Sequence, residues 1–225
     1  MIDSLTALQP VIEGVDADVA NYVETHIIPL YDRFDKAHRR DHARMVITQS
    51  LRLAAHMPQL NRDMVYVTAA FHDLGLANGR ERHHIDSGII LGRDEFVRHH
   101  FTADQIKVMI EAVEDHRASG KSAPRSDYGL VVADADRFID AETIIRRTIQ
   151  YGMANYPHLD RDGHFQRTSD HLINKYGPDG YMKVRLPWSD NATRLKQLHA
   201  IIADGQRLRE IFDRIYSAES RIKGS

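Results

Sequence analysis

His42, the adjacent pair His72-Asp73, and Asp136 offer two imidazoles and two carboxylates, a donor set with clear chemical meaning. Mixed nitrogen and oxygen donors suit Mn, Fe, Co, Ni, Zn or Mg better than a thiolate-selected metal or an all-oxygen calcium cage. Four protein ligands on an octahedral ion leave positions open for water, and a divalent ion makes such a water acidic near neutral pH, so the set reads as hydrolytic. Taken singly, each residue is commonplace: a histidine at the edge of an apolar helix face is usually a satisfied side chain, and His72 alone suits a helix C-terminus. Asp73 is harder to explain that way. A carboxylate in a last helical turn opposes the dipole, and this one follows the apolar run Ala69-Ala70-Phe71, so it needs a compensating cation.

The elements that must carry these residues are helical. Apolar positions recur at three- and four-residue intervals, with no sustained strand-like alternation. The pattern predicts helices from about Asp16 to Leu30, from His42 to Met57 with Pro58 as the stop, and from Asn61 to Leu74 ahead of Gly75. The second of these buries Ala43, Val46, Ile47, Leu53 and Ala54; the third is apolar on most sides and belongs at the centre of a bundle. Ala77 to Arg82 reads as a loop. Further helices run from His84 to Arg98, onward from Thr102 with Gln105 in capping-box spacing, and from Asp127 to Gln150 carrying Asp136. Ala118 to Ser126 reads as a loop. Glycines and prolines break up Tyr151 to Asp190, leaving a short helix from about Thr168 to Tyr176. A long amphipathic helix then begins after Ser189-Asp190. The expectation is an all-α compact bundle.

Composition narrows the class. The chain of 225 residues is 28% charged and 42% hydrophobic with a net charge of -2, a soluble globular profile with no overall attraction to nucleic acid or acidic membranes. It contains no cysteine, which excludes disulfides, thiolate metal sites and a cysteine nucleophile. No segment approaches the ~20 apolar residues a membrane helix needs, and Met1 to Pro10 lacks a basic segment followed by an apolar core, so a cytoplasmic protein is expected. Length permits one domain over 1–225, with a metal-binding core at about 35–145 and a C-terminal helical extension at about 150–225.

The text His42, then Phe71-His72-Asp73-Leu74-Gly75, then Asp134-Ala135-Asp136-Arg137-Phe138 resembles the HD-domain superfamily of metal-dependent phosphohydrolases over roughly residues 35 to 145. The resemblance implies an HD-type helical bundle in which His42, His72, Asp73 and Asp136 hold a divalent metal and Asp73 also orients the attacking water. Helical periodicity does not choose between Asp134 and Asp136; the Asp-Ala-Asp-Arg pattern of the family favours Asp136. His84 matches the family histidine that precedes a helix glycine by four, and is preferred over His83. His116 follows Val113 on an inward stripe. In the family these two positions bind a second metal or contact the substrate phosphate, and the short interval from Asp73 to His84 favours phosphate contact here.

Arg39, Arg44, Arg82, Arg117 and Arg137 stand close in sequence to these residues, and guanidinium forks suit phosphate oxygens. Glu114 to Ser119, Pro124-Arg125 and the Asp-Ala-Asp-Arg segment are similar to small bacterial HD hydrolases of soluble nucleotides and related phosphoesters. The leading expectation is a phosphohydrolase acting on a nucleotide or other small phosphoester through metal-activated water, with a protonated His84 or His116 stabilising charge on the phosphate oxygens or protonating the leaving group. The competing readings are a dinuclear HD-type phosphodiesterase or diiron oxygenase, and a non-catalytic ligand-sensing module. The expected partner is a small phosphorylated substrate such as a nucleotide, with no membrane and no strong nucleic-acid signal, and the C-terminal helix leaves a homo-oligomer open.

Overall fold

The computed structural model describes residues 12–35, 38–117 and 123–223, of which the side chains of 222 and 223 are not described. The protein is all-α, with 74% of residues helical and no strand among the described residues. Part of the expected loop at Ala118 to Ser126 (118–122) lies outside the described residues. No helix among the described residues is long and apolar enough to cross a membrane. The chain forms two compact units, 1–137 and 138–225, where the sequence suggested one domain with an extension.

Among the described residues the first element of the first unit is α1 (Ala17–Tyr22), whose Asp16 side chain caps the amides of Asp18 and Val19. The helical path continues as a π-turn over Val23–Ile27 and a 3-10 stretch over Ile28–Arg33. Pro29 has no amide hydrogen to donate, which accounts for the change of winding there. Next come α2 (Arg40–Ala54) and α3 (Arg62–Phe71), the latter capped by Asn61. Every residue of α3 from Met64 to Phe71 is buried. It packs against α2 as well as α4 (His83–Arg93), α6 (Ala103–Asp115) and α7 (Asp127–Ala135), the central position its all-round apolar sequence requires. Short α5 (Glu95–His100) lies between α4 and α6.

Between α3 and α4 the chain makes a 3-10 turn over Leu74–Asn78, closed by Gly79 at φ 102°, a left-handed conformation that favours glycine. Gly75 is required for a different reason. A Cβ there would overlap the His83 carbonyl oxygen and stand 2.6 Å from the Ser87 nitrogen. The Gly75 amide donates to Ser87 Oγ at 2.8 Å. This close approach brings the start of α4 against the segment that follows His72-Asp73.

The second unit contains α8 (Ala141–Asn155), α9 (Arg161–Tyr176), α10 (Asp190–Ala203) and α11 (Gly205–Lys223) around a core that includes Ile145, Ile149, Leu172, Leu198 and Phe212. Three long helices expected from the sequence are divided. Asp94, Asp140 and Asp204 turn out of the helix, and their carboxylates accept from the amides of Val97, Thr143 and Arg207 respectively. Each aspartate thus caps a new helix within an unbroken apolar pattern. The helix expected to begin near Thr168 starts earlier, at Arg161, with Asp160 as its cap.

Candidate metal centre

The site residues are delivered by helix ends. His42 sits in the first turn of α2, whose Ala43, Val46 and Ile47 are buried. His72, His116 and Asp136 are the C-terminal caps of α3, α6 and α7, and Asp73 is the first residue beyond α3. Three helix C-termini, each with partial negative charge from unpaired carbonyls, therefore serve one location. Such an arrangement is unfavourable for two carboxylates, one buried and one half-buried, unless positive charge accompanies them.

The side chains form two groups that share Asp73. Its Oδ2 lies 3.3 Å from His72 Nε2 and 3.6 Å from His42 Nε2. Asp136 Oδ1 completes this group at 3.2 Å from His42 Nε2 and 3.7 Å from His72 Nε2, and the two imidazole nitrogens are 3.3 Å apart. The other Asp73 oxygen, Oδ1, lies 3.5 Å from His116 Nε2 and 3.6 Å from His83 Nε2, and these nitrogens are also 3.3 Å apart. One carboxylate therefore faces two histidine pairs, one with each oxygen.

Backbone carbonyls set the direction of three imidazoles. His72 Nδ1 is 2.8 Å from the Ala69 oxygen, His83 Nδ1 is 2.8 Å from the Arg80 oxygen, and His116 Nδ1 is 2.6 Å from the Val113 oxygen. A carbonyl only accepts, so in each case Nδ1 carries the hydrogen. In its neutral form, the one a metal requires, each ring would present a bare Nε2 lone pair to the centre, the tautomer control seen around metal-ligating histidines.

Electrostatics agree with a cation-seeking centre. Burial pushes the Asp73 carboxyl upward, but the charge of His72 and hydrogen bonds from His116, His42 and His72 outweigh it and hold the group well below the usual carboxylate range. Asp136 is likewise lowered, its burial outweighed chiefly by the hydrogen bond from His42. Burial lowers His42, yet its hydrogen bonds to Asp136 and Asp73 push it up to about 9. His116 is raised against its burial by the hydrogen bond to Asp73. His83 is lowered, mainly by burial. Without metal, protons supply the positive charge.

The residues fit a divalent ion. Donors bound at ~2.0–2.2 Å in tetrahedral or octahedral geometry stand roughly 3.0–3.5 Å from one another. His42, His72 and Asp73 form one group whose ligand atoms all lie within 4.8 Å of one another, and Asp73, His83 and His116 form another. Facing nitrogen lone pairs at 3.3 Å repel unless a proton or a cation lies between them.

Residues 39–140 match the family model described as HD domain. This stretch of the chain is an HD domain, as the sequence resemblance implied. No curated protein and no solved structure matches the chain. An HD domain implies metal-dependent, hydrolase-type chemistry, and the His/Asp groups within it are able to hold a metal.

Within the HD core, Asp136 is brought to His42, its Oδ1 3.2 Å from Nε2. Asp134, 3% exposed, lies within α7, whereas Asp136 ends it. The histidine brought to Asp73 is His83, not His84 as the sequence suggested. The two rings are neighbours, with centroids 5.6 Å apart, but α4 begins at His83 and the Arg80 carbonyl anchors that ring. Burial, followed by the charge of Arg117, lowers His84, which makes it a poor proton donor at neutral pH, and no hydrogen bond reaches its buried Nδ1. His116, read from sequence as a phosphate contact, is 2% exposed and faces Asp73, a ligand's position.

The arginines are less uniform than sequence proximity implied. Arg44 is engaged by Glu24 at 2.7 Å, which leaves it poorly suited to substrate. Arg117 reaches across to the Glu81 carbonyl at 2.8 Å and bears electrostatically on His83 and His84. Arg82 is exposed immediately before His83. Arg39, also exposed, precedes α2 and donates weakly to the Phe34 carbonyl, while Arg137 has a buried Nε.

Sequence reasoning also passed over Tyr31. Its fully buried hydroxyl donates to the Ala70 carbonyl at 2.8 Å and accepts from the Asp73 amide at 3.3 Å. Only the fold brings this residue, 42 positions away, beneath Asp73.

Proposed function

We propose that this HD protein is a metal-dependent phosphohydrolase with a two-ion centre, acting on a nucleotide or other small phosphoester. The observation that carries the reading is the division of Asp73 between two histidine pairs, Oδ2 toward His42 and His72, Oδ1 toward His83 and His116. His42, His72, Asp73 and Asp136 would hold one ion; Asp73, His83 and His116 would hold the other. Bound divalent ions supply Lewis acidity to a phosphoryl oxygen and a water that is acidic near neutral pH.

The chain's own part is orientation and access. The Ala69, Arg80 and Val113 carbonyls keep three Nε2 atoms inward, and the low carboxyl pKa values keep Asp73 and Asp136 anionic throughout the working range. The His72, Asp73 and His116 side chains are nearly inaccessible, at 0%, 6% and 2% exposure, whereas His42, His83 and Asp136 are at 17%, 14% and 24%. A substrate must approach from the latter three. Arg82 and Arg117, next to His83 and His116 in the chain, are the guanidinium groups best suited to its phosphate, with Arg39 before His42 as a third. A small phosphoester suits this reading better than nucleic acid, which needs a basic surface the composition does not provide.

A broad phosphate-release screen with Mn, Fe, Co, Ni, Zn and Mg tests the reading. It predicts turnover that Asp73→Ala abolishes; full metal-dependent turnover in that variant contradicts it. The same carboxylate-bridged histidine pairs also favour iron-dependent oxygen chemistry as a second reading. Oxygen consumption by the Fe(II)-loaded protein, without phosphate release, would decide for it.

A further inference from the structure

The second unit contains a cleft of about 470 Å³ that the metal centre does not use. Ile139 and Ile201, both buried, contribute to its apolar lining. Phe138 lies on it with its ring 58% exposed, and the Arg194 guanidinium carbon is 4.9 Å from the centre of that ring. Arg207 lines the same cleft.

Several arginines of this unit are committed to carboxylates. Arg146, Arg161, Arg209 and Arg214 are each paired with aspartate or glutamate. Among the described residues, no ion pair engages Arg194 or Arg207. The carboxylate in the cleft, Asp140, accepts from the Thr143 amide at 2.8 Å as the cap of α8, and that hydrogen bonding, with a smaller contribution from the charge of Arg194, holds its pKa low. One guanidinium group thus lies over a largely exposed aromatic ring and a second lines the same cleft, above an apolar lining and in a volume of ordinary small-ligand size.

We infer that this cleft binds a small aromatic anion, most fittingly a nucleoside monophosphate, at a site distinct from the metal centre. The planar ring packs against Phe138 and the apolar lining, while the phosphate takes the Arg194 and Arg207 forks. The occupant is bound rather than converted, since among the described residues the cleft contains no nucleophile or proton-transfer pair beyond the committed Asp140.

Calorimetric titration of the full-length protein tests this, using AMP, GMP, CMP, UMP, phenyl phosphate, benzoate and inorganic phosphate, with and without chelator. At least one aromatic anion is expected to bind saturably and more tightly than inorganic phosphate, and chelation should leave that binding intact. Preference for a nucleotide over phenyl phosphate and benzoate would identify the base and sugar as recognised; equal binding would leave the aromatic anion as the recognised unit. Arg207→Ala and Arg194→Ala should each weaken binding about tenfold by removing a charge-assisted contact, and Phe138→Ala should weaken the aromatic probes but not inorganic phosphate. Unchanged thermal melts would show that these surface variants fold. Absence of saturable binding by all aromatic probes overturns the inference, as does binding that chelation abolishes or that both arginine variants retain in full.

Discussion

The Tyr31 hydroxyl accepts from the Asp73 amide at 3.3 Å while donating to the Ala70 carbonyl at 2.8 Å, tying the first helical stretch to the residue on which both metal groups depend. Tyr31→Phe removes both hydrogen bonds and leaves buried backbone groups unpaired. The expected cost is about 1–3 kcal/mol of stability, with metal affinity reduced on the order of tenfold because Asp73 loses a positioning contact. Chemical denaturation of the chelated protein and metal titration of the folded protein read the two effects separately. A variant as tight for metal as the parent would show that Tyr31 only packs.

Gly75 gives a steric prediction. A methyl group there collides with backbone atoms of His83 and Ser87, which cannot rotate away as a flexible side chain would. Gly75→Ala is expected to destabilise the protein on the order of 3 kcal/mol and to displace His83 from Asp73. Ser87→Ala, which removes only the hydroxyl partner of the Gly75 amide, should cost about 1 kcal/mol. Melting curves of the two variants provide the comparison.

Protons and metal compete for the same atoms. In the metal-free protein His42 is raised from 6.5 to about 9, so its contribution to folding stability is fully present below pH 6.5 and is lost as pH rises through about 9. Asp73 and Asp136 are lowered from 3.8, so their contributions are present above pH 3.8 and are lost as pH falls through the folded-state values. Metal affinity should therefore climb between pH 6.5 and 9 while metal-free stability declines, and binding near neutral pH should release protons. Calorimetry in buffers of different ionisation enthalpy measures that release. Binding enthalpies independent of the buffer would contradict it.

Much of this was visible in the sequence, and the omissions have physical causes. The period of Val65 to Phe71 announces a buried helix, and the His72-Asp73 pair at its end announces a cation. Asp94, Asp140 and Asp204 were harder to read because each sits within a continuing apolar pattern, and capping is a local hydrogen-bond choice that periodicity does not register. A polar residue three positions before a helical amide in need of a partner was the available signal. The choice between His83 and His84 depends on where α4 begins and on the approach of Gly75, both products of tertiary packing. Tyr31 carried no motif at all.

Metal counting tests the two-ion centre most directly. The purified protein loaded with Mn or Fe, the same protein with His116→Ala, and the same protein with His72→Ala should be compared by elemental analysis after removal of loosely held metal. The two groups around Asp73 predict two ions per chain in the parent and one in each variant, with Asp73→Ala retaining neither tightly. One ion in the parent, unchanged by His116→Ala, would contradict the account and return His83 and His116 to the substrate.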